Sequence, residues 1–199
     1  MNALILAAGA STRMGFPKAD LPWGQGTVLS EIIRMYALLQ AETIVVVYGH
    51  DQPKTLNVGV EQLSWVRHSN WYKGMRSSIR CGLSHAMTHE CSSETFIHPV
   101  DCPGVHPNTI KSLQSARTDW SACPTYDGRR GHPLKVSSGL AKRLLSLDTT
   151  PLHEFVNDER TVFVPVNDSA ILRNLNDKES YQNCLKSEFA AVQMTDHVD

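Results

Sequence analysis

The chain lacks a charge excess of either sign. Lysine and arginine number 19 against 20 acidic residues, a formal net charge of −1, so no broad basic field points toward nucleic acid. It also lacks any apolar run near the roughly twenty residues that a membrane span requires. No basic segment precedes the first apolar run and no cleavage signature follows it, so the N-terminus does not read as a secretory leader. The cysteines (Cys81, Cys91, Cys102, Cys123 and Cys184) are odd in number and form no C-x-x-C pair. They read as reduced thiols of a cytoplasmic protein, not as a disulfide frame or a zinc site. His85 and His89 have the spacing of a two-histidine zinc site, but Ala86 stands where H-E-x-x-H needs its glutamate, which argues against zinc. Trp23, Trp65, Trp71 and Trp120 are too scattered to form a stacking track for single strands. Internal repeats, low-complexity stretches and linkers are missing as well. The 199 residues suit one domain and are too few for two ordinary ones: 1–190 as the domain and 191–199 as a polar, frayed tail.

What is present is a regular alternation of strand-like and helix-like segments. Met1–Ala7 is an apolar strand, and Thr43–Tyr48 is a β-branched run suited to a strand buried on both faces. Thr27–Gln40 carries apolar residues at helical spacing. Further strands are expected at Leu63–Arg67, Thr95–Val100, Trp120–Pro124, Pro133–Val136 and Thr161–Val166, with a turn region at Gly128–Gly131. Further helices are expected at Met75–His89, His106–Ala116 (opening near Pro107), Ser138–Leu147 and Lys178–Ala190. This order predicts an α/β fold with a mostly parallel sheet. Ligands of such folds sit at the carboxyl ends of strands.

The first strand runs into Ala7-Ala8-Gly9-Ala10-Ser11-Thr12-Arg13-Met14-Gly15-Phe16-Pro17-Lys18. Small residues let consecutive backbone N–H groups approach phosphate oxygens, and Arg13 and Lys18 supply positive charge for a polyphosphate. A Walker loop would need Gly-Lys-Ser/Thr where Gly15-Phe16-Pro17 stands, and a dinucleotide fingerprint would need a glycine two residues after Gly9. The plain alternative is a tight strand-to-helix turn with two solvated cations.

The pattern L-A-A-G-x-S-x-R-M-G-x-P-K resembles the opening motif of the MobA-like nucleotidyltransferases. The Ala-Ala-Gly form is most similar to the molybdenum-cofactor cytidylyltransferase (MocA-like) branch; the guanylyl branch usually reads Ala-Gly-Gly. The resemblance implies a three-layer, Rossmann-like nucleotidyltransferase fold of the nucleotide-diphospho-sugar transferase type. It also implies that Leu6, Ala7, Ala8, Gly9, Ala10 and Ser11 hold the triphosphate, and that Arg13 and Lys18 stabilise the leaving pyrophosphate.

A second constellation follows the strand at Thr95: His98-Pro99-Val100-Asp101-Cys102-Pro103. An aspartate at a strand end can hold a divalent cation, and Mg²⁺ needs only one or two carboxylates beside substrate phosphates; the same residue could cap the next helix. The family reads Pro-Val-Asp-x-Pro here, and the resemblance makes Asp101 the Mg²⁺ ligand. The family's second metal segment, D-I-D/N-T-P-E-D, is matched by Asn174-Leu175-Asn176-Asp177-Lys178-Glu179, which puts Asn176 at the ligand position. Asp177-Lys178 replaces the usual Thr-Pro. A shift of one would make Asp177 the ligand, and an acid-rich helix start is the plain alternative.

Asn70-Trp71-Tyr72-Lys73-Gly74-Met75-Arg76-Ser77-Ser78 is similar to the family stretch N-x-x-x-x-G-M-x-x-S, which implies that Gly74, Met75 and Ser78 serve the nucleobase. Gly128-Arg129-Arg130-Gly131-His132-Pro133 is similar to G-x-x-G-H-P, which implies an acceptor side at Gly131, His132 and Pro133. Arg129 and Arg130 suit either an anion or solvent.

The expected activity is transfer of a nucleoside monophosphate from an NTP, with CTP favoured, to a phosphate-bearing acceptor of the molybdopterin type. Pyrophosphate leaves and Mg²⁺ serves as cofactor. A molybdoenzyme is the expected recipient of the product; neither nucleic acid nor membrane is an expected partner. Three alternatives stay open. One is a relative using GTP or another acceptor. Another is an oxidoreductase of small aromatic heterocycles, a reaction found in the same branch. The third is a cofactor-insertion chaperone that has lost transfer.

Overall fold

A computed structural model describes residues 1–54, 58–86, 94–146, 154 and 156–195, with side chains to residue 188. Its centre is an eight-stranded sheet. Strand β1 (Asn2–Ala7) lies between β4 (Thr43–Tyr48) and β6 (Thr95–Pro99), and β5 (Leu63–Arg67) flanks β4, all of them parallel. Beyond β6 come β9 (Leu134–Val136), β7 (Ser121–Tyr126) and β10 (Val162–Pro165). β9 runs antiparallel to both neighbours, whereas β10 is parallel to β7. The sheet is therefore mixed but mostly parallel, as the alternation of elements predicts. A separate two-stranded ribbon joins β2 (Pro22–Trp23) to β3 (Gly26–Thr27).

Alternation along β1 sorts the two apolar layers. Ala3 and Ile5 pack with Ile32, Ile33 and Tyr36 of α1 (Val28–Leu38) and with Ile110 and Leu113 of α3 (Pro107–Ser115). Leu4 and Leu6 pack on the other face with Ile79 and Leu83 of α2 (Met75–Ala86) and with Leu140 and Leu144 of α4 (Ser138–Ser146). The result is three layers, with β1 buried from both sides. Each such aliphatic side chain contributes roughly 1.5–3 kcal/mol on burial, so the end of β1 is a fixed platform for the loop that follows.

Local chemistry sets the helix starts. Thr27 and Ser30 exchange hydrogen bonds across the first turn of α1, at 3.2 and 2.8 Å, a reciprocal cap. His106 caps α3, accepting from Asn108 N at 3.1 Å, and Pro107 takes the first turn as expected.

Several boundaries differ from the sequence reading. The expected turn region at 128–131 contains β8 (Arg129–Arg130), the return arm of a hairpin with β7. Its two-residue corner, Asp127-Gly128, has positive φ at both positions, the geometry that hairpin twist favours. The final helix, α5 (Lys178–Thr195), runs past residue 190, where the sequence placed the start of a polar tail. Cys91, His89 and Leu147 lie outside the described residues. Among the described residues, no helix is long and apolar enough to cross a membrane.

Candidate active site

The loop after β1 winds around Ser11. Ser11 sits in the left-handed region at φ +50°, as does Gly15 at φ +78°; a serine there is uncommon and marks a constrained turn. Its carbonyl accepts from Met14 N (3.0 Å) and Gly15 N (3.1 Å), and its Oγ accepts from Lys18 N (3.2 Å). Buried Met14 pins the loop to the core. The free ends of β1 and β6 are tied where Val100 N donates to Leu6 O at 3.0 Å.

This tie brings the two expected constellations together. Lys18 Nζ lies 3.2 Å from Asp101 Oδ2, with side-chain exposures of 15% and 30%. Gly9, Ser11, Lys18 and Asp101 line one cavity of about 360 Å³, together with Leu6, Ala7 and Ala8. From the far end of the chain, Leu175 N donates to Asp101 O at 2.9 Å, and Asn176 Oδ1 accepts from Arg13 Nη2 at 3.4 Å. Asp177 is engaged differently. It accepts from Ser180 N at 2.9 Å and donates its own N–H to Ser180 Oγ at 3.0 Å. These bonds to Ser180 hold its carboxyl below the usual carboxylate range. Asp177 thus caps α5, and Asn176 is the residue beside Arg13.

The donors present fit a magnesium ion that arrives with a polyphosphate. The Asp101 carboxylate lines a cavity walled by small residues, the Asn176 amide oxygen follows the Leu175 N–H that is bonded to Asp101 O, and the remaining positions of an octahedral ion are left to phosphates and water. Among the described residues there is no cluster of three or more His, Cys, Asp or Glu side chains that would form a cage of its own.

Trp71, Tyr72, Gly74, Met75 and Ser78, with Asp51 and Pro53, also line the cavity. Gly74 turns the chain at φ +93° into α2. The rings of Trp71 and Tyr72 meet edge to face at 6.3 Å. Gly49 leaves room for Trp71 beside the loop after β1: a Cβ there would stand 2.5 Å from Ala8 O and 2.6 Å from Trp71 Cβ. His68 Nε2 lies 2.9 Å from Ser77 Oγ, and burial, then the charge of Lys73, lowers its pKa. Sequence reasoning missed Asp51, Pro53, Trp71 and Tyr72. The two aromatics stand within the stretch that carried Gly74, whereas Asp51 has no local signal.

Gly131, His132 and Pro133 do not line that cavity, and neither do Ala10, Arg13 and Asn176. His132 N donates to Ile171 O at 2.9 Å. Its Nδ1 is buried without a hydrogen-bond partner. Burial lowers the ring's pKa while the charge of Asp101 opposes that shift. Gly131 faces the backbone: a Cβ would come within 2.4 Å of Ile171 O. Behind Asp101, fully buried His98 bonds Cys102 O through Nε2 at 2.8 Å and Tyr36 Oη through Nδ1 at 3.1 Å. Its pKa is lowered to about 4, chiefly by burial. The buried Cys102 thiol is pushed up by desolvation, so it is a packed thiol and not a nucleophile.

The arrangement can clamp a polyphosphate between backbone donors, a lysine and a carboxylate, and Trp71 and Tyr72 in the same lining can meet a planar group. The chain is similar to known proteins in sequence and in fold. The chain is 28% identical over 139 residues to molybdenum cofactor cytidylyltransferase of Escherichia coli (strain K12), covering 69% of this chain and 70% of that protein. It is 28% identical over 156 residues to nicotine blue oxidoreductase of Paenarthrobacter nicotinovorans, covering 73% and 75%. In fold it is similar to a nucleotidyl transferase from Methanothermobacter thermautotroptrophicus, with a TM-score of 0.79 at 19% identity over 96% of this chain and 98% of that one. The model of the MobA-like NTP transferase domain matches residues 3–163, and the chain belongs to that family.

Proposed function

We propose that this protein transfers a nucleoside monophosphate from an NTP to a phosphate-bearing acceptor and releases pyrophosphate. The observation that carries this reading is the 3.2 Å approach of Lys18 Nζ to Asp101 Oδ2 in a cavity lined by Gly9 and Ser11. A lysine, a carboxylate and a close-approach loop serve a metal-bound polyphosphate better than a neutral ligand.

In this reading an acceptor phosphate oxygen attacks the α-phosphorus in line, and the bond from that phosphorus to the bridging oxygen of pyrophosphate breaks. No covalent enzyme intermediate is required. The loop N–H groups around Gly9 and Ser11 fix the triphosphate, which turns an encounter into an aligned attack. Lys18 and Arg13 neutralise the charge that grows on the leaving group. Asp101 and Asn176 would hold Mg²⁺, which supplies charge screening and orientation of the phosphates when bound. Trp71, Tyr72 and Gly74 receive the base.

CTP is the proposed nucleotide and a molybdopterin-type compound the proposed acceptor, bound toward Gly131, His132 and Pro133. Both follow from the Ala7-Ala8-Gly9 form of the loop and from the likeness to the cytidylyltransferase. A cytoplasmic setting and a molybdoenzyme recipient belong to the same proposal. The likeness to nicotine blue oxidoreductase supports a second reading, hydride transfer to an aromatic heterocycle.

One experiment separates the two. The pure protein is incubated with Mg²⁺, each NTP in turn and molybdopterin, and pyrophosphate is measured; a parallel arm follows NADPH absorbance with a heterocyclic acceptor. Pyrophosphate release with CTP supports transfer. Silence with every NTP, beside NADPH consumption, refutes it. Pterin binding without either reaction leaves a carrier role.

A further inference from the structure

A tyrosine and a histidine are hydrogen-bonded to each other inside the apolar layer beneath α1. Both Tyr36 and His98 are fully buried, and their rings meet edge to face at 5.7 Å. Aliphatic side chains would fill the same volume with no hydrogen bonds to satisfy, so a buried polar pair implies a task.

The pair is directional. Cys102 O can only accept, so His98 Nε2 carries the proton and donates, at 2.8 Å. Nδ1 of the neutral ring then accepts from Tyr36 Oη, at 3.1 Å. The far end of this relay is the carbonyl of the residue that follows Asp101. The same turn is held from three other sides: Cys102 N donates to Pro99 O at 3.1 Å, Leu175 N donates to Asp101 O at 2.9 Å, and the Cys102 thiol donates to Ala170 O at 3.3 Å.

We infer that Tyr36 and His98 are positioning residues that hold the Asp101-Cys102-Pro103 turn through the Cys102 carbonyl, so that the Asp101 carboxylate faces Lys18 and the cavity. Neither touches substrate. They act through one carbonyl, as outer partners orient a ligating carboxylate in metal sites generally, where their loss costs about 10–100-fold in affinity or activity. The inference rests on the reading of Asp101 as the cation-holding group.

The test compares His98→Met, which fills the site without a donor, with His98→Gln, whose amide can donate to Cys102 O, and with Tyr36→Phe. The readouts are pyrophosphate release against Mg²⁺ concentration, calorimetric binding of an α,β-methylene CTP analogue with and without Mg²⁺, and thermal unfolding. His98→Met is expected to weaken the Mg²⁺-dependent part of analogue binding about tenfold or more and to raise the Mg²⁺ requirement, with Mg²⁺-free binding unchanged. His98→Gln recovers most of the loss, and Tyr36→Phe moves the same way by less. Wild-type Mg²⁺ enhancement in all three variants overturns the inference. So does a glutamine variant no better than the methionine variant, with losses that track melting temperature alone. Should His98→Met not fold, Tyr36→Phe carries the same two outcomes. Wild-type protein that binds the analogue with Mg²⁺ but never releases pyrophosphate refutes transfer and leaves the relay to be judged by binding. No Mg²⁺-dependent binding at all overturns the relay as well.

Discussion

Arg13 and Asn176 stand 163 positions apart in the chain and meet at 3.4 Å. The signature loop and the segment before α5 thus converge on the turn that bears Asp101. Removing Asp101 separates chemistry from stability. The Asp101 side chain is 30% exposed where it meets Lys18, and ion pairs that water reaches contribute only about 0–1 kcal/mol. Asp101→Ala is therefore expected to melt within a few degrees of wild type while pyrophosphate release falls by roughly 10²–10³, the loss typical of removing one preorganised electrostatic group. Near-wild-type turnover would rule the carboxylate out.

Lys18 is expected to act mainly on charge that develops in the transition state. Lys18→Met should lower kcat far more than it raises the KM for nucleotide. A variant affecting only KM would make the lysine a ground-state phosphate anchor.

The neighbouring residues Asn176 and Asp177 separate by readout. Asp177→Ala removes the cap of α5 and should cost about 1 kcal/mol with turnover kept. Asn176→Ala should leave melting unchanged and raise the Mg²⁺ requirement. The reverse pattern would make Asp177 the oxygen ligand.

Gly9 and Gly131 make a second contrast. A Cβ on Gly9 meets nothing within 4 Å, whereas one on Gly131 meets Ile171 O at 2.4 Å. Gly131→Ala should destabilise by about 1–3 kcal/mol through overpacking, measured by denaturant unfolding. Gly9→Ala should keep stability, and its effect should fall on nucleotide affinity.

His98 predicts an acid-side loss of stability. The unfolded chain protonates this residue below its ordinary 6.5, the folded chain only below about 4. Between those values the unfolded state binds more protons, so stability falls as pH falls, by about 3 kcal/mol in all, and levels off below 4. Urea midpoints from pH 7 to pH 4 for wild type and His98→Gln measure this: the slope should shrink in the variant. Equal slopes would mean that the histidine does not titrate in this window.

The elements that carry a strong local signal were legible in the sequence. Thr43–Val47 is an unbroken β-branched run, and the apolar spacing of α1 fixes the face that meets the sheet. Strand direction has no such signal, so nothing in Leu134-Lys135-Val136 announced that β9 runs backward. The two-residue strands β2, β3 and β8 are too short to show a period. Site residues followed the same division. Gly9, Lys18, Asp101 and Gly74 lie in motifs with local spacing. Asp51 reaches the cavity, and Tyr36 reaches His98 across 62 positions, through tertiary packing that no short window contains.

The reversal of β9 has one more result. Because this strand enters the sheet at the edge where its parallel neighbours leave it, the segment at 131–133 is delivered beside Asp101 from upstream. It takes no part in the ladders that join β5, β4, β1 and β6. The loop after β1 and the loop after β6 thus leave the sheet at the same edge by which the hairpin of β7 and β8 hands its chain back to β9.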